Sequence, residues 1–162
     1  MNLRLVLNVV GRVMLIETLT LLFPLAVALI YGESPLPFLY TMAILAILGA
    51  VLSALPAKQS FFAREGFCTV GLIWLLTGTA GALPFYFSGA FPSFVDCIFE
   101  SFSGFTTTGA TILTDVEALP RGIQFWRCFS HWLGGMGVLI LATAVLPSLS
   151  GQSQHLARAE TP

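Results

Sequence analysis

Residues 34–57 contain no charged side chain. A run of that length and character is enough for one membrane-crossing helix, which needs about 20 apolar residues at about 1.5 Å each to cover roughly 30 Å of hydrocarbon. The run predicts a span over 36–55, and three stretches of similar length predict spans over 8–31, 66–83 and 128–149. The whole chain is 56% hydrophobic and only 9% charged, against about 25% charged in a soluble domain. A soluble domain has too little interior to hide this much apolar surface. The expected fold class is therefore an all-α membrane protein with four transmembrane helices. The N-terminal stretch is too long for a signal peptide, and Glu17 interrupts it.

Several function classes are disfavoured at the same level. A net charge of -1 offers no basic patch, so no nucleic-acid partner is expected. Cys68, Cys97 and Cys128 have neither zinc-like spacing nor a complete disulfide set, and read as packed apolar thiols. The chain has no HExxH, GxSxG, Walker A or GxGxxG pattern, which argues against an enzyme, a cofactor and nucleotide binding.

One apolar stretch does not fit a span. Residues 91–105, FPSFVDCIFESFSGF, are too short and too polar to cross alone, and predict a re-entrant segment. Arg4, Arg12, Lys58, Arg64 and Arg158 fall on one side of a four-span chain. Glu33, Asp96, Glu100, Asp115 and Glu117 fall on the other, with only Arg121 and Arg127. Basic residues favour the cytoplasm, so both termini are expected there and the re-entrant segment enters from outside.

The re-entrant segment leads into SFSGFTTTGAT, residues 101–111. Pro92 and Ser93 suit a helix start, Gly104 suits a helix end, and a Thr/Gly-rich extended stretch follows. Such backbone at membrane depth is tolerated only where protein buries it or water reaches it. A short helix followed by extended Thr/Gly backbone is the arrangement of a cation filter, in which carbonyls replace hydration water. The competing reading is a Thr-rich turn packed between helices.

SFSGFTTTGAT resembles the first pore loop of the Trk/Ktr/HKT potassium transporters, in particular their TrkH/TrkG-like uptake subunits. LPF at 83–85, FWRCFSHWLGGMGVLIL at 125–141 and ARAETP at 157–162 resemble the flanking helix end, the following helix and a cytoplasmic connector. The resemblance implies a channel-like fold of four helix–pore–helix repeats. Residues 1–57 would be an extra N-terminal helix pair, 58–150 the first repeat, and 151–162 the start of the connector. It implies that Thr107 and Thr108 offer K⁺-coordinating carbonyls, that Gly109 is the filter glycine, and that Thr106 and Ala110 flank it. One glycine and no tyrosine imply a shorter, less rigid filter than that of the classical channels, with looser discrimination between K⁺ and Na⁺.

The implied partners are K⁺, the lipid bilayer, three further pore repeats, a second copy of the complete protein and a cytosolic nucleotide-binding regulatory subunit. The implied location is the bacterial inner membrane. The chain is expected to be a fragment contributing one of four filter segments. The alternative is a non-conducting membrane module.

Other residues carry smaller expectations. A charged Glu17 inside a span would cost roughly 2.5–3.5 kcal/mol, so it should be neutral, or paired with Arg12 or a polar neighbour. Pro24 should kink the first span. Asp96 could line an acidic outer vestibule, whereas Glu100 should be hydrogen-bonded to the return loop or to Arg121 and Arg127. His131 reads as a packing and hydrogen-bonding residue, and Arg127 as an outer-interface anchor. Gly134, Gly135 and Gly137, like Gly78 with Ala82, should permit close helix packing.

Overall fold

A computed structural model describes residues 3–56 and 63–139, which form helices and connecting turns with no strand among them. The order is α1 (Leu3–Thr20), α2 (Leu22–Ile30), α3 (Leu36–Ser53), α4 (Ala63–Ala80), α5 (Leu83–Ser88), α6 (Phe94–Phe105) and α7 (121–139). Three apolar helical stretches are long enough to cross a membrane: Leu3–Ile30, Leu36–Ser53 and Cys68–Ser88. The chain is a multi-pass, all-α membrane protein. The expected fourth span lies in α7 as far as 139, and its remainder falls outside the described residues, as do the region 57–62 and the connector match.

The first span is broken where Pro24 requires it. Proline has no N–H, so the Thr20 carbonyl loses its partner four residues on. α1 ends at Thr20, Leu21 forms the joint, and α2 resumes at Leu22. Leu21 N donates to Glu17 O and Leu25 N to Leu21 O, so the chain bends without separating. α2 ends in a Schellman turn at Gly32, φ 68°. Gly32 N donates to Leu29 O and Glu33 N to Ala28 O.

α1 and α3 cross at two glycines. A Cβ on Gly11 would stand 2.5 Å from Ser53 N, and one on Gly49 would stand 3.0 Å from Gly11 O. Small residues let backbones approach this closely in lipid, where dispersion contacts carry association. Asn8, 5% exposed, lies well inside α1 rather than at its start. Its Nδ2 donates to Ser53 O at 2.5 Å and Leu55 O at 2.9 Å, satisfying carbonyls at the end of α3.

The third span differs from its sequence reading. LPF does not close it. α4 ends at Ala80, and Leu83 and Pro84 open a further short helix, α5, with proline in its first turn, where no N–H is needed. Ala82 therefore sits beyond α4 rather than one turn along it from Gly78. α7 also starts earlier than its span, at 121. Its N-terminus is capped from the α2–α3 loop: Arg121 N donates to Glu33 Oε1 at 2.6 Å and Gly122 N to Glu33 Oε2 at 2.8 Å. A carboxylate on exposed helix N–H groups is favourable in both charge and hydrogen bonding.

Glu17 makes no pair with Arg12. It is 5% exposed, and among the described residues neither carboxyl oxygen has a hydrogen-bond partner. It stands in the wall of a largely apolar cavity of about 590 Å³ between α1, α4 and α7. A buried polar group without a partner costs about 1–3 kcal/mol. Replacing Glu17 with Leu is expected to raise thermal stability in detergent by that order. A lower midpoint would show that the carboxyl has a partner after all.

Candidate functional site

The site is built where α6 stops. Ser93 Oγ accepts from Asp96 N at 3.2 Å and caps the start of α6. Gly104 does not end the helix, which runs on to Phe105. A Cβ at Gly104 would collide with Ser130 Oγ of α7, so this glycine serves close approach. Ser101 Oγ donates to Gly78 O at 2.6 Å, and a Cβ on Gly78 would meet the Phe102 ring 2.6 Å away. α6 thus seats on α4 on one side and α7 on another.

After Phe105 the chain turns sharply. Thr106 N donates to Phe102 O, Thr107 N to Gly104 O, and Thr108 N and Gly109 N both to Ser103 O. The carbonyls at the end of a helix lack intrahelical partners, and here the following segment supplies the donors. The segment's own acceptors are left over. Among the described residues no hydrogen bond reaches the carbonyls of Thr106, Thr107, Thr108 or Gly109. Ala110 differs, because its carbonyl accepts from Ser103 Oγ at 2.5 Å. Thr106 to Ile112 are exposed.

Two residues of the turn have left-handed backbone: Gly109 at φ 76° and Thr107 at φ 57°. Glycine adopts this conformation freely. A β-branched residue does so at a cost of about 1–3 kcal/mol, and only where its surroundings over-determine it. A Cβ at Gly109 would meet nothing within 4 Å, so its requirement for glycine is conformational rather than steric. Thr106 Oγ1 donates to Phe102 O at 2.7 Å and lies 2.8 Å from Thr108 Oγ1, so these hydroxyls brace the turn.

The return stretch is tied back to α6. Glu100, 1% exposed, accepts from Thr111 Oγ1 at 3.0 Å through Oε2 and from Arg127 Nε through Oε1. Two of the partners expected from sequence, the return loop and Arg127, are both present. Arg121 instead donates from its side chain to Gln124. Arg127 forms an ion pair with Glu100. Asp96 stands in the opening turn of α6, about 15 Å along the helix from Thr106.

α7 closes the site from behind. A Cβ on Gly134 would overlap the Phe105 carbonyl, whereas those on Gly135 and Gly137 would make ordinary contacts of 3.7 Å with Thr107 Cγ2 and 3.6 Å with Trp74. Of the three glycines expected to pack, Gly134 is the one whose missing side chain the geometry requires. Trp126, fully buried, donates from Nε1 to Gly81 O at 2.9 Å. His131 Nδ1 lies 2.8 Å from Arg127 O, in the hydrogen-bonding role read from sequence. Ser103 does not stand out in the sequence as a site residue. Its signal was its spacing, three residues after Glu100 and seven before Ala110.

The TrkH family model, described as a cation transport protein, matches residues 37–162. The Trk system potassium uptake protein TrkH of Vibrio parahaemolyticus is 39% identical over 166 residues, covering 100% of this chain and 34% of the relative. That of Escherichia coli K12 is 40% identical over 167 residues, with the same coverage. An uncharacterised cation transporter of Methanocaldococcus jannaschii is 36% identical over 142 residues, covering 87% of this chain and 30% of the relative. The chain thus spans about a third of the length of the curated relatives it matches.

Two stability series test this geometry in detergent-solubilised protein. Gly109→Ala is expected to cost about 1–2 kcal/mol, and Thr107→Gly to be neutral or stabilising, because glycine relieves the left-handed strain. Gly134→Ala should cost about 1–3 kcal/mol through overpacking, and Gly135→Ala under about 0.5 kcal/mol. Reversal of either order in thermal unfolding would contradict the close approach or the strain.

Proposed function

Since the chain belongs to the TrkH family of cation transport proteins, we propose that it carries one of four filter segments of a K⁺ uptake protein. The observation that carries this reading is the run of carbonyls from Thr106 to Gly109 that no donor among the described residues claims, while the N–H groups of the same residues are already spent on α6. Oxygens without donors suit a dehydrated cation, which replaces its water shell with carbonyl dipoles. The C-terminal end of α6 adds partial negative charge beside them. Thr107 and Thr108 supply central ligands, Gly109 permits the turn, and Thr106 and Ala110 flank it. Ser103 holds the Ala110 carbonyl, so Ala110 is a weaker ligand than its neighbours.

One segment supplies one wall. The remaining walls come from three further repeats, and the complete protein works as a homodimer with a cytosolic nucleotide-binding regulatory subunit. Residues 1–57 are the added helix pair, 58–150 the first repeat and 151–162 the start of the connector. The protein lies in the bacterial inner membrane with both termini cytoplasmic, and Asp96 contributes negative charge to the outer vestibule. Translocation involves no covalent chemistry, so the protein is not an enzyme and needs no cofactor.

The test is a chimera in which this chain replaces the equivalent third of the Escherichia coli relative, in cells without another K⁺ uptake route. The chimera is expected to restore Rb⁺ uptake, and Gly109→Asp to abolish it. Gly109→Ser should lower the Rb⁺/Na⁺ uptake ratio by about tenfold, or about 1.4 kcal/mol, with less effect on folding. An unchanged ratio would remove Gly109 from the filter. A well-inserted chimera without uptake would favour the non-conducting module.

A further inference from the structure

We infer that Glu100, Ser103 and Thr111 form a two-point clip that sets the spacing of the filter carbonyls, and that Arg127 ties this clip to α7. The inference rests on the filter reading above and assigns it three positioning residues and their anchor.

Glu100 and Ser103 are three residues apart on α6 and so share a face of the helix. Ala110 and Thr111 are neighbours on the return stretch. Ser103 Oγ donates to Ala110 O at 2.5 Å, and Thr111 Oγ1 donates to Glu100 Oε2 at 3.0 Å. The return stretch therefore runs back along α6 with two successive bonds between them. Everything between Gly104 and Gly109 is enclosed in a loop of fixed ends. That loop holds both left-handed residues, Thr107 and Gly109. A strained Thr107 persists only if the surrounding structure over-determines it. The clip supplies that constraint on the exit side, while the N–H bonds to Phe102, Ser103 and Gly104 supply it on the entry side.

The Thr111 hydroxyl is held in one orientation. It donates to Glu100 and accepts from Leu113 N at 3.1 Å. The carboxylate is held as firmly, since its other oxygen accepts from Arg127 Nε and its residue is 1% exposed. A buried ion pair is a poor source of net stability, because desolvating two charges offsets their attraction. Its use here is geometric. Arg127 sits on a helix fixed by the Glu33 cap at its start, by the Trp126–Gly81 bond and by the approach of Gly134 to Phe105. The position of α7 is thereby passed through Arg127 and Glu100 to the stretch that leaves the filter. Asp96 makes no bond to that stretch among the described residues, so the two acids of α6 have separate tasks.

The experiment uses the uptake-competent chimera and reads the Rb⁺/Na⁺ ratio, protein level and thermal midpoint. Thr111→Val keeps the side-chain shape but removes the hydroxyl, at an exposed position. It is expected to lower the ratio roughly fivefold, or about 1 kcal/mol, with a fall in the midpoint no larger than the loss of one hydrogen bond produces. Thr111→Ser restores the hydroxyl and should recover the parent ratio. Ser103→Ala should act in the same direction, and combining it with Thr111→Val should cost less than the product of the two. If Thr111→Val keeps the parent ratio while Gly109→Ser lowers it, the clip is wrong and the filter reading stands. If neither lowers it, the filter reading fails and takes the clip with it. Equal losses in Thr111→Val and Thr111→Ser would also overturn the clip, because the hydroxyl would then not be the active group. Should Thr111→Val fail to fold, Ser103→Ala with Ser103→Thr as its rescue makes the same test.

Discussion

Backbone that is neither helix nor sheet must still satisfy its N–H and C=O groups, and inside a bilayer it can do so only against other protein or water. The turn after α6 meets this constraint unevenly. Four consecutive N–H groups, from Thr106 to Gly109, close on the last carbonyls of the helix they leave. The donors of the turn thus satisfy the orphan acceptors of the helix, and the acceptors of the turn remain. A stretch with its donors spent and its acceptors free is chemically selective: it rejects anions and offers oxygens to a cation. The proposed filter follows from this accounting more than from the identity of any threonine.

The rest of the described fold holds that turn in place, largely through side chains that are missing or small. Gly134 admits the Phe105 carbonyl, Gly104 admits Ser130, and Gly78 and Gly81 admit the rings of Phe102 and Phe105. Each close contact seats the end of α6 against α4, the turn that follows α4, or α7. The helix pair α1 and α3 reaches the site indirectly. It packs on α4 and α5, and the loop between α2 and α3 brings Glu33 onto the first turn of α7.

Three apolar spans, the short helix Phe94–Phe105 and the Thr/Gly turn were legible in the sequence because each depends on local composition. The joint at Leu21 was legible from Pro24, and two partners of Glu100, the return loop and Arg127, from their charge and polarity, whereas Arg121 turns to Gln124 instead. What was not legible depends on approach between distant elements. Gly104 reads as a helix end because glycine often ends helices, and only the nearness of Ser130 shows it to be a packing residue. LPF reads as a stop because proline breaks helices, yet proline in a first turn also begins one. Glu33 reads as one more acid on the outer side until α7 is seen to start upon it. Gly135 and Gly137 look equivalent to Gly134, and only the position of Phe105 separates them. Glu17 reads as an acid that is neutral, or paired with Arg12 or a polar neighbour, and the paired alternative is the one the described side chains do not supply.

The two left-handed residues mark where local preference gives way to the site. Gly109 takes its conformation freely, so the sequence is consistent with the structure there. Thr107 does not, and a glycine at that position would have been the easier choice for the backbone alone. Its retention places a methyl 3.7 Å from the Cβ position of Gly135 on α7. The adjoining hydroxyls of Thr106 and Thr108 lie within hydrogen-bonding distance of each other. The Thr107 methyl thus faces α7, while the Thr106 hydroxyl bonds to α6 and to the Thr108 hydroxyl. A glycine-rich version would relax the strain and also free the backbone to move. Discrimination between ions of like charge depends on how firmly the oxygens are held apart or on how many can gather. In the proposed filter, the strain at Thr107 would be the local cost of a stiffer set of oxygens, and the hydrogen bonds of Ser103 and Glu100 would let the fold bear it.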